Sequence, residues 1–100
     1  MGQIVKLIEL VAGLDELDSE DIIYACEPWT ADSDAMVTPE DPESGLPFGM
    51  PPEAADAGMT YFLEVFTTRE VVEGWLNNLD EKPTLAAICQ RVIEYAINDA

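Results

Sequence analysis

Histidine is absent from this 100-residue chain, and Lys6, Arg69, Lys82 and Arg91 are its only basic side chains. The first absence removes Ser–His and Cys–His nucleophile activation, imidazole metal ligation and the commonest general base near neutral pH. The second leaves 21 carboxylates against four cations, a formal net charge of −17. Between Leu7 and Thr68 there are fifteen Asp and Glu residues and no Lys or Arg. No apolar run approaches the length of a membrane span. Met1-Gly2-Gln3-Ile4-Val5-Lys6 has one charge and no small-residue cleavage site, so a signal peptide is not expected. Lys6 also stands where a myristoylation motif wants Ser or Thr. A soluble, cytoplasmic protein without membrane association is the expectation.

Cysteine is scarce too. Cys26 and Cys89 lie far apart in apolar blocks, with no C-x-x-C spacing. Two buried free thiols in a reducing compartment are expected, with a disulfide between them as the alternative. No G-x-S-x-G, Walker A or G-x-G-x-x-G pattern occurs, and Gly45 to Gly49 lacks the strand–helix context of a phosphate cradle. Asp32-Ser33-Asp34 and the Asp15 to Asp21 turn have calcium-type ligands, but neither has the central glycine and terminal glutamate of an EF-hand loop. Paired carboxylates remain the one catalytic option, and a chain this small offers little room for the cleft they need. Neither an enzyme nor a cofactor or metal site is expected.

What the chain does have is periodic apolar character, at 48% of residues, which a disordered acidic tail would lack. A single domain over residues 1–100 follows from the length. Ile4, Leu7, Ile8, Val11 and Leu14 predict a helix over Ile4 to Leu17, with a short strand at Ile4 to Leu7 leading into a shorter helix as the alternative. Ile22 to Cys26 and Ala35 to Thr38 read as strands. Pro39 to Gly58 holds five of the seven prolines and three of the six glycines, and reads as a long irregular loop with one helical turn near Pro51 to Asp56. Leu46, Phe48 and Met50 predict that part of it folds back on the body.

Thr60 to Phe66 is the strongest strand, apolar on both faces, and so expected in the middle of a sheet or under helices on both sides. Thr67 and Glu70 form a capping-box pattern opening a helix with Val71, Val72, Trp75, Leu76 and Leu79 on one face, and Trp75 is assigned to the core. A last helix runs from a Thr84 N-cap to about Asn98, with Leu85, Ile88, Cys89, Val92, Ile93 and Ala96 as its stripe. The sum is an α+β domain, a small antiparallel sheet of about three strands packed against about three helices. Glu64 faces outward or, if buried, needs a partner such as Arg91.

The charge imbalance gives the fold no stability, because like charges repel in the compact state. It points instead to a basic partner. Asp32, Asp34, Glu40, Asp41, Glu43, Glu53 and Asp56 lie in one stretch without a basic neighbour in sequence, and Trp29 and Phe48 supply apolar anchors among them. Those nine residues are the candidate partner-binding set, although a core position is the favoured one for Trp29. An inhibitor covering the active or substrate-binding site of a basic protein, such as a nuclease toxin, is the favoured reading. A mimic of nucleic acid that binds a nucleic-acid-binding protein is the second, but it needs charges in rows at phosphate spacing on rigid elements. The third is a general acidic or salt-adapted interaction domain. Direct nucleic-acid binding is not expected.

The runs Ile23 to Thr30, Tyr61 to Phe66 and Tyr95 to Ala100 resemble an uncharacterised group of small acidic bacterial proteins and cover about a fifth of the chain. In size, acidity and lack of catalytic residues the chain is also similar to immunity proteins of bacterial toxin systems. That likeness is one of type, without a shared motif, and it carries over no binding residue.

Overall fold

A computed structural model describes residues 3–46 and 49–99. The elements run β1 Val5–Lys6, α1 Leu7–Ala12, β2 Ile22–Ala25, β3 Asp34–Thr38, α2 Pro52–Asp56, β4 Thr60–Glu64, α3 Val65–Leu76 and α4 Leu85–Asp99, with 3-10 turns at Leu14–Glu16 and Pro42–Ser44. The strands form one antiparallel sheet in the order β1-β3-β2-β4. The architecture is the expected small α+β fold.

Period-2 alternation sends Ile23, Ala25, Ala35 and Val37 to one face, where they meet Leu7, Leu10 and Val11 of α1 and Cys89, Val92, Ile93 and Ala96 of α4. Ile22, Tyr24 and Met36 point the other way, onto Ala54 of α2 and Met59. The long loop, not a second set of helices, covers this face. Phe62 and Leu63 are consecutive yet both belong to the helix-side core. A register shift between Ile23 and Tyr24 makes this possible: Ile23 pairs with Leu63 and Tyr24 with Tyr61, so Phe62 is the extra residue of a β-bulge.

Four sequence expectations change. The helix over Ile4 to Leu17 is not formed; the short-strand alternative is. Val5 and Lys6 pair with Ala35 and Asp34, and the next two amides donate to the Ser33 and Ala31 carbonyls, so tertiary pairing captures the backbone that the first helical turn would use. Second, the strand from Thr60 ends at Glu64 and α3 begins at Val65, without a side-chain cap from Thr67. The Val65 and Phe66 amides, orphans at a helix start, donate instead to the carbonyls of Asp21 and Ser19. Thr67 and Thr68 are therefore inside the helix, and Thr68 Oγ1 bonds back to the Glu64 carbonyl at 2.9 Å.

Third, β4 lies at the sheet edge rather than in its middle; its two apolar faces are explained by helices on one side and the loop on the other. Fourth, Trp75 is half-buried and not core, because the buried residues of α3 are Val65 and Thr68 in its first turn. The Thr84 cap is present, its hydroxyl accepting from the Ala87 amide at 3.1 Å. Both cysteines are free. Cys89 is fully buried, whereas Cys26 is only half-buried.

Candidate functional site

The Pro39 to Gly58 segment is held by three features. Proline starts α2, and the Met59 amide closes its end on the Ala54 carbonyl. Gly49, at φ 63°, sits so close to Glu40 that any Cβ there would collide with the Glu40 side chain. Its carbonyl accepts from the Asp41 amide at 2.7 Å and from the Tyr24 hydroxyl at 3.3 Å. Burial, and secondly the nearby Glu40 charge, push the Tyr24 hydroxyl up to about 12.

This path decides where the acids go. Glu40, Asp41 and Glu43 follow the C-terminal end of β3, where the Asp41 side chain caps the Pro42–Ser44 turn through the Glu43 amide. Asp32 and Asp34 lie at the opposite end of β3, about 14 Å away for a five-residue strand. The loop crosses between the two ends. The Cys26 amide donates to the Asp34 carbonyl and the Cys26 thiol to the carbonyl of Ala57, so the end of the loop returns to the start of β3. All these acids are exposed except Asp41, which is half-buried. Glu40, Asp41, Glu43, Glu53 and Asp56 thus lie along the segment that covers one side of the sheet, whereas Asp32 is in the turn before β3, next to Ala31, which packs on the helix-side core.

Asp34 differs from the others. Its carboxylate is 3.1 Å from Lys6 Nζ, and this is the only ion pair among the described residues. An exposed pair of this kind contributes little stability, but it removes Asp34 from the uncompensated set. Sequence reading missed the contact because 28 residues separate the partners. Arg69 is also committed: its guanidinium donates to the Leu14 carbonyl at 3.0 and 3.1 Å and to that of Leu17. It ties the 3-10 turn to α3.

Trp29 is half-buried, stacks edge-on against Phe62 at 4.9 Å and donates from Nε1 to the Ala25 carbonyl. It therefore stands on the helix side of the sheet, away from the loop acids. Phe48 lies outside the described residues. Met50 folds onto the loop-side cluster, whereas Leu46 is exposed. Glu64 faces solvent and makes no pair with Arg91, whose Nε is buried without a hydrogen-bond partner.

The Asp15 to Asp21 turn is a second acidic region, on the α3 side. Burial first, then the charges of Asp18 and Glu20, raise the Asp21 carboxyl above its usual range. Among the described residues no group of three or more Cys, Asp and Glu is arranged to hold a metal ion. None of the described helices is long and apolar enough to cross a membrane. No protein-family model, curated protein or solved structure matches the chain.

Proposed function

We propose that the protein is a cytoplasmic, non-enzymatic inhibitor of a basic protein, of the immunity-protein type, acting by covering the active or substrate-binding site of a toxin such as a nuclease. One observation carries this reading. Two of the four cations are committed, Lys6 to Asp34 and Arg69 to backbone carbonyls, so Glu40, Asp41, Glu43, Glu53 and Asp56 present negative charge with no cation paired to them. Complementary charge of this density accelerates encounter with a basic partner by about ten- to a thousandfold, and salt screens the effect. The irregular course of the loop suits a plug better than a mimic of duplex DNA, which requires carboxylates repeating at phosphate spacing.

The test is capture from the source organism's lysate at low salt, followed by a salt gradient. A single basic protein released at one salt step, whose activity the pure protein inhibits, is the expected result. Reversing Glu40, Asp41 and Glu43 to Lys should then slow association at least tenfold and flatten its salt dependence. A diffuse mixture released at low salt would leave the acidity as a solvated surface and overturn the proposal.

A further inference from the structure

Helices α1, α3 and α4 meet without closing. Between them lies a groove of about 490 Å³ whose walls are Val11, Leu14, Val72, Leu76, Leu85 and Ile88. Its size falls in the range of ordinary binding pockets, roughly 300–1,000 Å³. The groove is also where α3 leaves the core: Val72 and Leu76 are half-buried, and Leu85 is 40% exposed. Leu79, just beyond the end of α3, adds a further exposed apolar side chain at 38%.

The rim is acidic. Asp15 and Lys82 are part of the wall, and Glu16, Asp80 and Glu81 are exposed within two residues of it in sequence, whereas Glu73 lines a separate pocket with Ser19 and Arg69. Four carboxylates thus stand beside one ammonium along the groove's edge. Arg69 in α3 has its guanidinium on the Leu14 and Leu17 carbonyls, and Arg91, one helical turn beyond Ile88 in α4, has its Nε buried. An apolar floor inside an acidic rim is complementary to an amphipathic helix with leucine-like residues on one face and Lys or Arg on its flanks. A second copy of this chain would bring another −17 charge to the same surface, so a homodimer is disfavoured there.

We infer that the α1–α3–α4 groove docks a basic amphipathic helix of a partner protein. This rests on the reading of a basic partner, but on the opposite layer from the loop acids. It adds an apolar anchor where charge alone would give only steering.

The probes are two labelled peptides of the same leucine and lysine composition, one with leucines at helical spacing and one with them dispersed. At near-physiological salt the amphipathic peptide should bind at least about tenfold more tightly, a difference that charge cannot supply. Leu85→Asp should abolish that preference. The substitution places an acid at the first turn of α4, where the helix dipole favours it, so the fold is retained, as circular dichroism will check. Reversing Glu40, Asp41 and Glu43 to Lys should weaken both peptides alike and leave their ratio unchanged. Equal affinity of the two peptides, or a preference that survives Leu85→Asp, would overturn the groove while leaving the loop proposal standing. Binding of neither peptide at low salt would remove the basic-partner premise itself. A dimer of the free protein that dissociates with Leu85→Asp would give the groove to a second copy and also overturn the inference.

Discussion

The two faces of the sheet are built to different standards. On the helix side Leu7, Ile23, Phe62, Val65, Val92 and Ile93 are almost completely excluded from water, and each such side chain contributes about 1.5–3 kcal/mol through burial. On the loop side the sheet supplies Ile22, Tyr24 and Met36, and among the described residues the cover supplies Ala54, Met59 and the half-buried Met50 and Ala57. A short helix, the Tyr24 hydroxyl on the Gly49 carbonyl and the Cys26 thiol on the Ala57 carbonyl hold it down. Folding free energy is thus concentrated in one layer and the unpaired loop carboxylates in the other. A thin cover of this kind opens at lower free energy than the global unfolding. Repulsion among its acids therefore falls where it threatens the core least.

The sharpest way to break that contrast is a pair of truncations. Phe62→Ala should lower stability by about 3–5 kcal/mol, because it empties a fully buried site and removes the edge-on contact with Trp29. Met50→Ala should cost about 1 kcal/mol. Urea unfolding of both variants decides it, and equal losses would make the two layers equivalent.

A smaller effect isolates the latch. Tyr24→Phe removes the hydrogen bond to Gly49 and should cost about 0.5–1.5 kcal/mol. Hydrogen exchange should accelerate in residues 39–58 and not in α4. The same residue gives a pH signature. An unfolded tyrosine ionises near pH 10, whereas Tyr24 in the fold is pushed up to about 12. Stability from neutral Tyr24 is therefore fully present below about pH 10 and is lost as pH rises toward 12. Tyr24→Phe should flatten that alkaline decline in denaturant melts.

The smallest expected change lies at the second acidic turn. Burial and the Asp18 and Glu20 charges raise the Asp21 carboxyl, so its ionised form opposes folding. The associated stability is present at acid pH and lost as pH rises through the folded value. Asp21→Asn should accordingly raise stability at neutral pH by a few tenths of a kcal/mol, visible as a small upward shift in Tm. A loss would mean that the carboxylate serves the turn through a contact stronger than the repulsion.

Much of the fold was legible because its signals are local. The strand at Ile22, the helix after Thr84 and the proline-initiated turn at Pro52 each follow from periodicity or capping within a few residues. The errors came where a distant backbone took over. Ser33 and Ala31 claimed the amides of Leu7 and Ile8, and Asp21 and Ser19 claimed those of Val65 and Phe66. Neither competition leaves a trace in local pattern. The candidate site was legible as a list of acids but not as a surface. Nothing in the spacing of Asp34 and Asp56 tells that Cys26 draws their neighbourhoods together, or that Lys6 neutralises one of them.

Sequence alone determined the charge, the absence of imidazole chemistry and the α+β pattern, since composition and short-range periodicity do not depend on how elements meet. Only the tertiary structure decided which cations are committed, which face of the sheet the loop acids line, and where α1, α3 and α4 leave a groove. Those properties arise from contacts between residues tens of positions apart, and hydrogen bonds and packing at that range are set by the assembled backbone.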